Sequence, residues 1–287
     1  MIDRERSLLS ILSNRTTGSV GLTEALLQHI EQNSSFYKNK RNFLTLSQRT
    51  ASTFPGMAII INTLGEIYSS LGKLPIEEIL QRVSASIREE TERSCRNAVE
   101  IISSFDSVGT ISESSLVIKA LSGLDLSIWI PESRPALEGK LTAISLAESG
   151  VNVHFTTDYA IGTFIDRIDA FLVGVDCFTS EKFVNKTGTK LLAMAARHYN
   201  KPFYAIGTKR KYIHNLPARL KSGIPSELWS SPPHGVTVES PYLEAVEISL
   251  LTGLILEDGI FTSQDIKKLD IDCRESFYSL LMDSREE

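Results

Sequence analysis

Residues 169–190 read DAFLVGVDCFTSEKFVNKTGTK, and the fold turns on them. Ala170 to Val175 is an apolar run with the length and continuity of a strand buried on both faces, as strands of a parallel sheet are. The run stops at Asp176, so a carboxylate sits where the strand ends. A short polar loop follows, and Asn185-Lys186-Thr187-Gly188-Thr189 reads as the opening of a helix that carries Leu191, Leu192, Ala195 and Ala196. In an open α/β sheet ligands bind beyond the carboxyl ends of the strands, and the N–H groups at a helix start attract anions. An acid, a lysine and a glycine-bearing helix start on one rim predict an anion site, with phosphate the first candidate. The plain alternative is an ordinary connection with a solvated Asp176 and a surface Lys186.

Outward from this stretch the pattern repeats. Strand-length apolar runs fall at 99–102, 126–130, 151–155, 170–175 and 203–206, with helical stretches at 110–122, 137–149 and 186–199. Strands alternating with helices predict βαβ units and a mainly parallel, Rossmann-like sheet. Residues 1–96 differ. Val20, Leu22, Leu26, Leu27 and Ile30 keep helical spacing, as do Met57, Ile60, Ile61, Leu64, Ile67 and Leu71. Pro75 stands at the start of a third helix with Ile76, Ile79, Leu80, Val83 and Ile87 on one face. The expected organisation is a helical domain over 1–96 and an α/β domain over 97–287.

Composition narrows the function. With 287 residues, 23% of them charged, and a net charge of −5, the chain reads as a globular protein without a general nucleic-acid-binding surface. No apolar run approaches the roughly 20 residues that span a bilayer. Three scattered cysteines, Cys95, Cys177 and Cys273, form neither a disulfide framework nor a zinc site, and a cytoplasmic location is expected. Cys177 reads as a small packed hydrophobe and His154 as a packed strand residue. His29, His198, His214 and His234 lack partners at ligand spacing, so no metal and no cofactor is expected. No glycine-rich dinucleotide or phosphate-loop pattern follows any predicted strand.

The strand ends collect the candidate chemistry. Glu132-Ser133-Arg134-Pro135 follows 126–130, Thr156-Thr157-Asp158 follows 151–155, and Gly207-Thr208-Lys209-Arg210-Lys211 follows 203–206. Arg134, the 185–189 helix start and Lys211 are thereby expected to meet around an anion, a planar fork and a point charge being the usual phosphate binders.

These segments resemble the initiation factor 2B alpha/beta/delta family, which also contains methylthioribose-1-phosphate isomerase and ribose-1,5-bisphosphate isomerase. Glu132-Ser133-Arg134-Pro135 with Glu138-Gly139 is similar to the family's ESRP…G segment, and Thr157-Asp158 to its Thr-Asp. Gly174-Val175-Asp176 with Asn185-Lys186-Thr187-Gly188-Thr189 resembles its GAD…NKIGT signature, and Lys211-Tyr212 its Lys-Phe pair. Glu239-Ser240-Pro241 and Glu257-Asp258-Gly259 are similar to its closing segments. The resemblance implies a ligand site at Arg134, Asn185, Lys186 and Lys211, a phosphorylated sugar as ligand, and a homodimer or assembly with paralogous subunits. The isomerases pair an aspartate, matched here to Asp176, with a cysteine in a Thr-His-Cys-Asn-Ser segment after the first strand. Set against Ser103-Ser104-Phe105-Asp106-Ser107, that segment puts Phe105 in the cysteine's place, and Arg15-Thr16-Thr17-Gly18-Ser19 only loosely resembles the family's phosphate segment. The implied function is a non-catalytic, initiation factor 2B subunit-like protein with a retained phosphate pocket. The alternative is an aldose–ketose isomerase of 1-phosphorylated pentoses, with Asp176 catalytic and Asp106 or Asp158 as its partner.

Overall fold

The computed structural model describes residues 2–282 apart from 15, 16, 219, 221 and 272–274. Arg15, Thr16 and Cys273 therefore lie outside the described residues. Helices come first: α1 (Ile2–Leu12), α2 (Ser19–Gln32), α3 (Ser34–Tyr37), α4 (Lys40–Thr53), α5 (Ala58–Ser70) and α6 (Ile76–Ile102). Each start has a local cause. The Asn39 side chain accepts from the Arg41 and Asn42 amides at 2.9 and 3.3 Å ahead of α4. Pro75 caps α6, whose first turn carries Glu77 and Glu78. α5 is apolar around most of its girth, as the central helix of a layer must be.

α6 overturns one expectation. It runs 27 residues without a break, across 96–97 and through the 99–102 stretch expected to be a strand. Ile87, Cys95, Ala98 and Ile102 are buried in it, the last three at helical spacing of three and four, so Val99–Ile102 completes a helical face. The first strand is β1 (Ser107–Gly109), followed by α7 (Ser115–Leu121), β2 (Ser127–Pro131), α8 (Glu138–Glu148) and β3 (Asn152–Thr156). Then come β4 (Ala170–Gly174), β5 (Cys177–Phe178), β6 (Lys182–Lys186), α9 (Thr189–His198) and β7 (Phe203–Ile206). The chain ends with α10 (Pro225–Leu228), β8 (Leu243–Glu247), β9 (Gly253–Leu256), β10 (Gly259–Phe261), α11 (Ser263–Ile266) and α12 (Glu275–Met282).

Among the described residues a seven-stranded sheet runs in the order β10-β9-β7-β4-β1-β2-β3. Its pairs are parallel except for the edge pair β9–β10. The mixed α/β architecture with a mainly parallel Rossmann-like sheet behind a helical layer is thus the one expected. The order reverses between β1 and β4, the switch point at which open α/β sheets form their crevice. A second sheet, β5-β6-β8, is antiparallel and was not expected. It turns Lys182–Lys186 into a strand, so the helix expected from 186 begins only at Thr189.

The larger core draws on both layers, from Ile30, Phe43 and Ile67 in the helices to Val108, Ile128 and Ile206 in the sheet. A second core lies on the other face, under α9. Among the described residues no helix is long and apolar enough to cross a membrane.

Candidate functional site

The crevice at the β1–β4 switch point is lined from four directions. β4 delivers Gly174, Val175 and Asp176. A Cβ on Gly174 would lie 2.6 Å from Ser114 Oγ, so the loop after β1 presses directly on the strand end. That loop is held in turn: Ser112, with φ of 66°, donates its amide to Ser133 Oγ at 2.8 Å, and Thr142 Oγ1 donates to its carbonyl at 2.9 Å. Ser133 and Leu137 also have positive φ, at 62° each. Non-glycine residues in this region are strained, and such strain gathers at ligand sites. Gly139 closes the segment, since a Cβ there would sit 1.9 Å from the Pro131 carbonyl oxygen. The start of α8 is thereby pressed against the end of β2, and Glu138 points into the cleft.

Two buried ammonium groups face these elements. Lys186, 1% exposed, donates to both Glu138 oxygens at 2.9 and 3.0 Å, and its Nζ lies 3.6 Å from the Tyr242 ring centre. The Tyr242 hydroxyl donates to the same carboxylate. Burial pulls the Lys186 ammonium below its ordinary value, with Glu138 opposing. Lys211, also buried, donates to the Val175 carbonyl at 2.5 Å. Burial lowers its proton affinity too, and Asp176 is the main group restoring it.

Lys211 is aimed by its neighbour. Arg210 donates to Glu90 at 2.7 and 3.0 Å, to Ser86 at 3.1 Å and to Glu66. Burial works against its charge and the two glutamates overcome it, so its proton is held more firmly than usual. Asn62 on α5 donates to the carbonyls of Arg210 and Tyr212 at 2.8 and 2.9 Å. The helical layer thus fixes a loop of the sheet.

Glu113 completes the cleft. Glu113 is half-buried, and its Oε2, shielded from solvent, makes no hydrogen bond among the described residues. Burial raises its proton affinity above the usual carboxylate range. The Gly18 amide at the start of α2 opposes that, Asp176 and Glu138 add to it, and Lys211 opposes it.

The residues expected at the site divide. Asp176, Asn185, Lys186 and Lys211 line one cleft. Arg134 does not line it: its side chain is exposed and donates to the Glu227 carbonyl at 3.3 Å. The start of α9 is not open to an anion either, because Glu244 Oε1 accepts from the Gly188 and Lys190 amides at 2.7 and 2.9 Å. Asp158 accepts from the Ser133 and Arg134 amides at 2.7 and 2.8 Å and so serves the backbone. Asp106 is exposed ahead of β1.

Phe105 needs a correction as well. It lies before β1 and packs on the larger core, away from the cleft. The segment that follows the first strand is Thr110-Ile111-Ser112-Glu113-Ser114, which matches Thr-His-Cys-Asn-Ser at its first and last residues and puts Ser112 in the cysteine's place. Cys177 is fully buried in an apolar cluster with Val184 and Ile213, and burial raises its thiol. Cys95 is pushed up to about 11, again by burial. Neither is a ready thiolate. His154 stacks on Trp129 at 4.2 Å between ring centres. Among the described residues no group of three or more His, Cys, Asp or Glu is placed to hold a metal ion.

Fold and cleft together define a Rossmann-like protein with a charged crevice at the strand ends, closed by a helical layer. Residues 19–262 match the Initiation factor 2 subunit family, and the chain belongs to that family. It is 34% identical to the methylthioribose-1-phosphate isomerase of Rhodopirellula baltica over 168 residues, 52% of this chain and 46% of that protein, so the match spans under half of the relative's length. It is 26% identical to the translation initiation factor eIF2B subunit alpha of Dictyostelium discoideum, over 90% of this chain and 86% of that one. The translation initiation factor eIF-2B structure from Pyrococcus horikoshii shares the fold at a TM-score of 0.80, with 20% identity over 90% of this chain and 96% of that one.

Proposed function

We propose that the cleft binds a 1-phosphorylated pentose and interconverts its aldose and ketose forms, as the methylthioribose- and ribose-bisphosphate-type isomerases of the family do. The observation that carries this reading is the meeting of two half-buried carboxyls, Asp176 and Glu113, with the buried Lys211 at the switch point. Phe105 packs on the larger core and is not among the groups of the cleft, so its phenyl ring does not disable the site. Aldose–ketose conversion moves protons between neighbouring atoms of the sugar, which calls for acid–base groups across the ligand. The first turn of α2, at Ser19 and Val20, faces the same cleft and suits the phosphate, while the Gly18 amide serves Glu113. A cytoplasmic setting goes with this proposal, since scattered unpaired thiols suit a reducing compartment.

The test is turnover of methylthioribose 1-phosphate or ribose 1,5-bisphosphate by the full chain. Asp176→Asn should lower kcat by about 10²–10⁴-fold. A second reading, a binding subunit of initiation factor 2B type, is favoured by Ser112, whose hydroxyl is a poor stand-in for a thiol. Tight binding of both sugars with no turnover would select it.

A further inference from the structure

We propose that Glu113 is the second proton carrier of this cleft, taking over with Asp176 the work that a cysteine does in the isomerases the chain resembles. The inference rests on the isomerase reading above.

Three observations converge on this residue. The first is placement: Glu113 lies in the loop after β1 and Asp176 just past the end of β4, the two adjacent strands between which the sheet order reverses, and both line the cleft. Ser114, packed against Gly174, fixes the loop that carries it. The second is availability. The Glu138 carboxylate is taken by Lys186 and Tyr242, and Asp158 by two backbone amides. Among the described residues the Glu113 carboxyl meets only the Gly18 amide, and its Oε2 makes no hydrogen bond. A buried, unsatisfied oxygen in a native site asks for an explanation, and a ligand that bonds to it is one. The third is the surroundings. The charged groups that face Glu113 are Asp176 after β4, Glu138 on α8 and Lys211 after β7, with the Gly18 amide from α2. Two negative charges and burial outweigh one ammonium and one amide, which suits a carboxylic acid that must hold a proton until the sugar takes it.

The steps balance with two protons lent and two returned. Glu113, protonated, donates to the ring oxygen as the C1–O bond breaks. Asp176, as the carboxylate, removes the proton on C2, and that electron pair forms the C1–C2 double bond of an enol phosphate. The enol hydroxyl then gives its proton to Glu113 as the C2 carbonyl forms, and Asp176 returns its proton to C1. No oxidant or metal enters, and the phosphate stays on C1.

The experiment compares the full chain with Glu113→Gln and Glu113→Asp on ribose 1,5-bisphosphate and methylthioribose 1-phosphate, with kcat and KM followed across pH. Glu113→Gln should lower kcat by about 10²–10³-fold with KM little changed. Glu113→Asp should restore part of the rate with its alkaline limb moved to lower pH. A Gln variant with the parent kcat and an unmoved alkaline limb overturns the role of Glu113 and leaves the isomerase reading standing. A parent chain inert towards both sugars overturns that reading first, and this proposal with it. Should the Gln variant fail to fold, the alkaline limb of the Asp variant decides, and an unmoved limb overturns the proposal.

Discussion

At the scale of single residues, Glu113 has a consequence for stability that is separate from turnover. Its proton is held more firmly in the folded chain than the ordinary value of 4.5. Such a group adds stability below its unfolded value, and the contribution is lost as the pH rises through the folded one. At neutral pH, above the unfolded value, that stabilisation is reduced, so the group costs stability relative to acid conditions. Glu113→Gln should melt above the parent at neutral pH, by about 2–4 °C per kcal/mol relieved. The gap should close as the pH falls towards the ordinary carboxylate range, and a gap constant across pH would assign the effect to packing instead. Sites that trade stability for chemistry behave this way. Asp176 and Lys211 stand out in the sequence because each follows an apolar run, and Asn185 and Lys186 because they read as a helix start. Glu113 could not, because SESS lay inside a stretch read as helix and no apolar run marked the strand before it. Arg134 was drawn to the site by its residue type, and its side chain points elsewhere.

At the scale of elements, the sequence was legible where apolar runs are long and opaque where strands are short or polar. β2, β3, β4 and β7 fall within a residue of the positions expected. β1 spans three residues, Ser107-Val108-Gly109, and gives no periodicity to read. β6 buries Asn185 and Lys186, whose polarity argued for a loop and a helix start. Their burial is made tolerable by partners far along the chain, Glu138 and Tyr242, which local patterning cannot show. Arg210 is the corresponding case among the loops: a cation in a basic run, tied by two glutamates to the helical layer. Arg210→Ala should destabilise the chain by about 3 kcal/mol, the low end for a buried pair because Glu66 is 28% exposed. It should also weaken sugar-phosphate binding, since the 208–212 loop then loses its anchor to α5 and α6. Chemical denaturation beside calorimetric titration checks both effects, and unchanged affinity would detach Lys211 from the helical layer. Arg210→Lys should recover only part, because a single ammonium cannot satisfy Glu66, Glu90 and Ser86 together.

At the scale of the whole molecule, association is the open proposition. Leu191 and Met194 on α9 are 61% and 52% exposed, and Tyr199 beyond them is 45% exposed. An apolar helix face of this kind suits burial against another copy. We expect a dimer in sedimentation equilibrium at micromolar concentration, and a monomer once Leu191 and Met194 are both replaced by Glu. A monomeric parent would reject the interface. The division into a helical unit over 1–96 and an α/β unit over 97–287 is likewise a proposal, motivated by the change of hydrophobic period. Two separable calorimetric transitions would support it. A single transition is favoured by the unbroken α6 and by a core that mixes residues of both layers.

The corner at Asp176 has a mechanical corollary. Val175 leaves the large sheet and Cys177 already belongs to the small one, while the Asp176 amide donates to the Val184 carbonyl at 2.9 Å. The carboxylate is bolted between two sheets, with no slack on either side. Lys211 is tied down behind it. The sheet side of the cleft is therefore one rigid wall, and Thr17 to Val20 with Met57 form the opposing, helical wall.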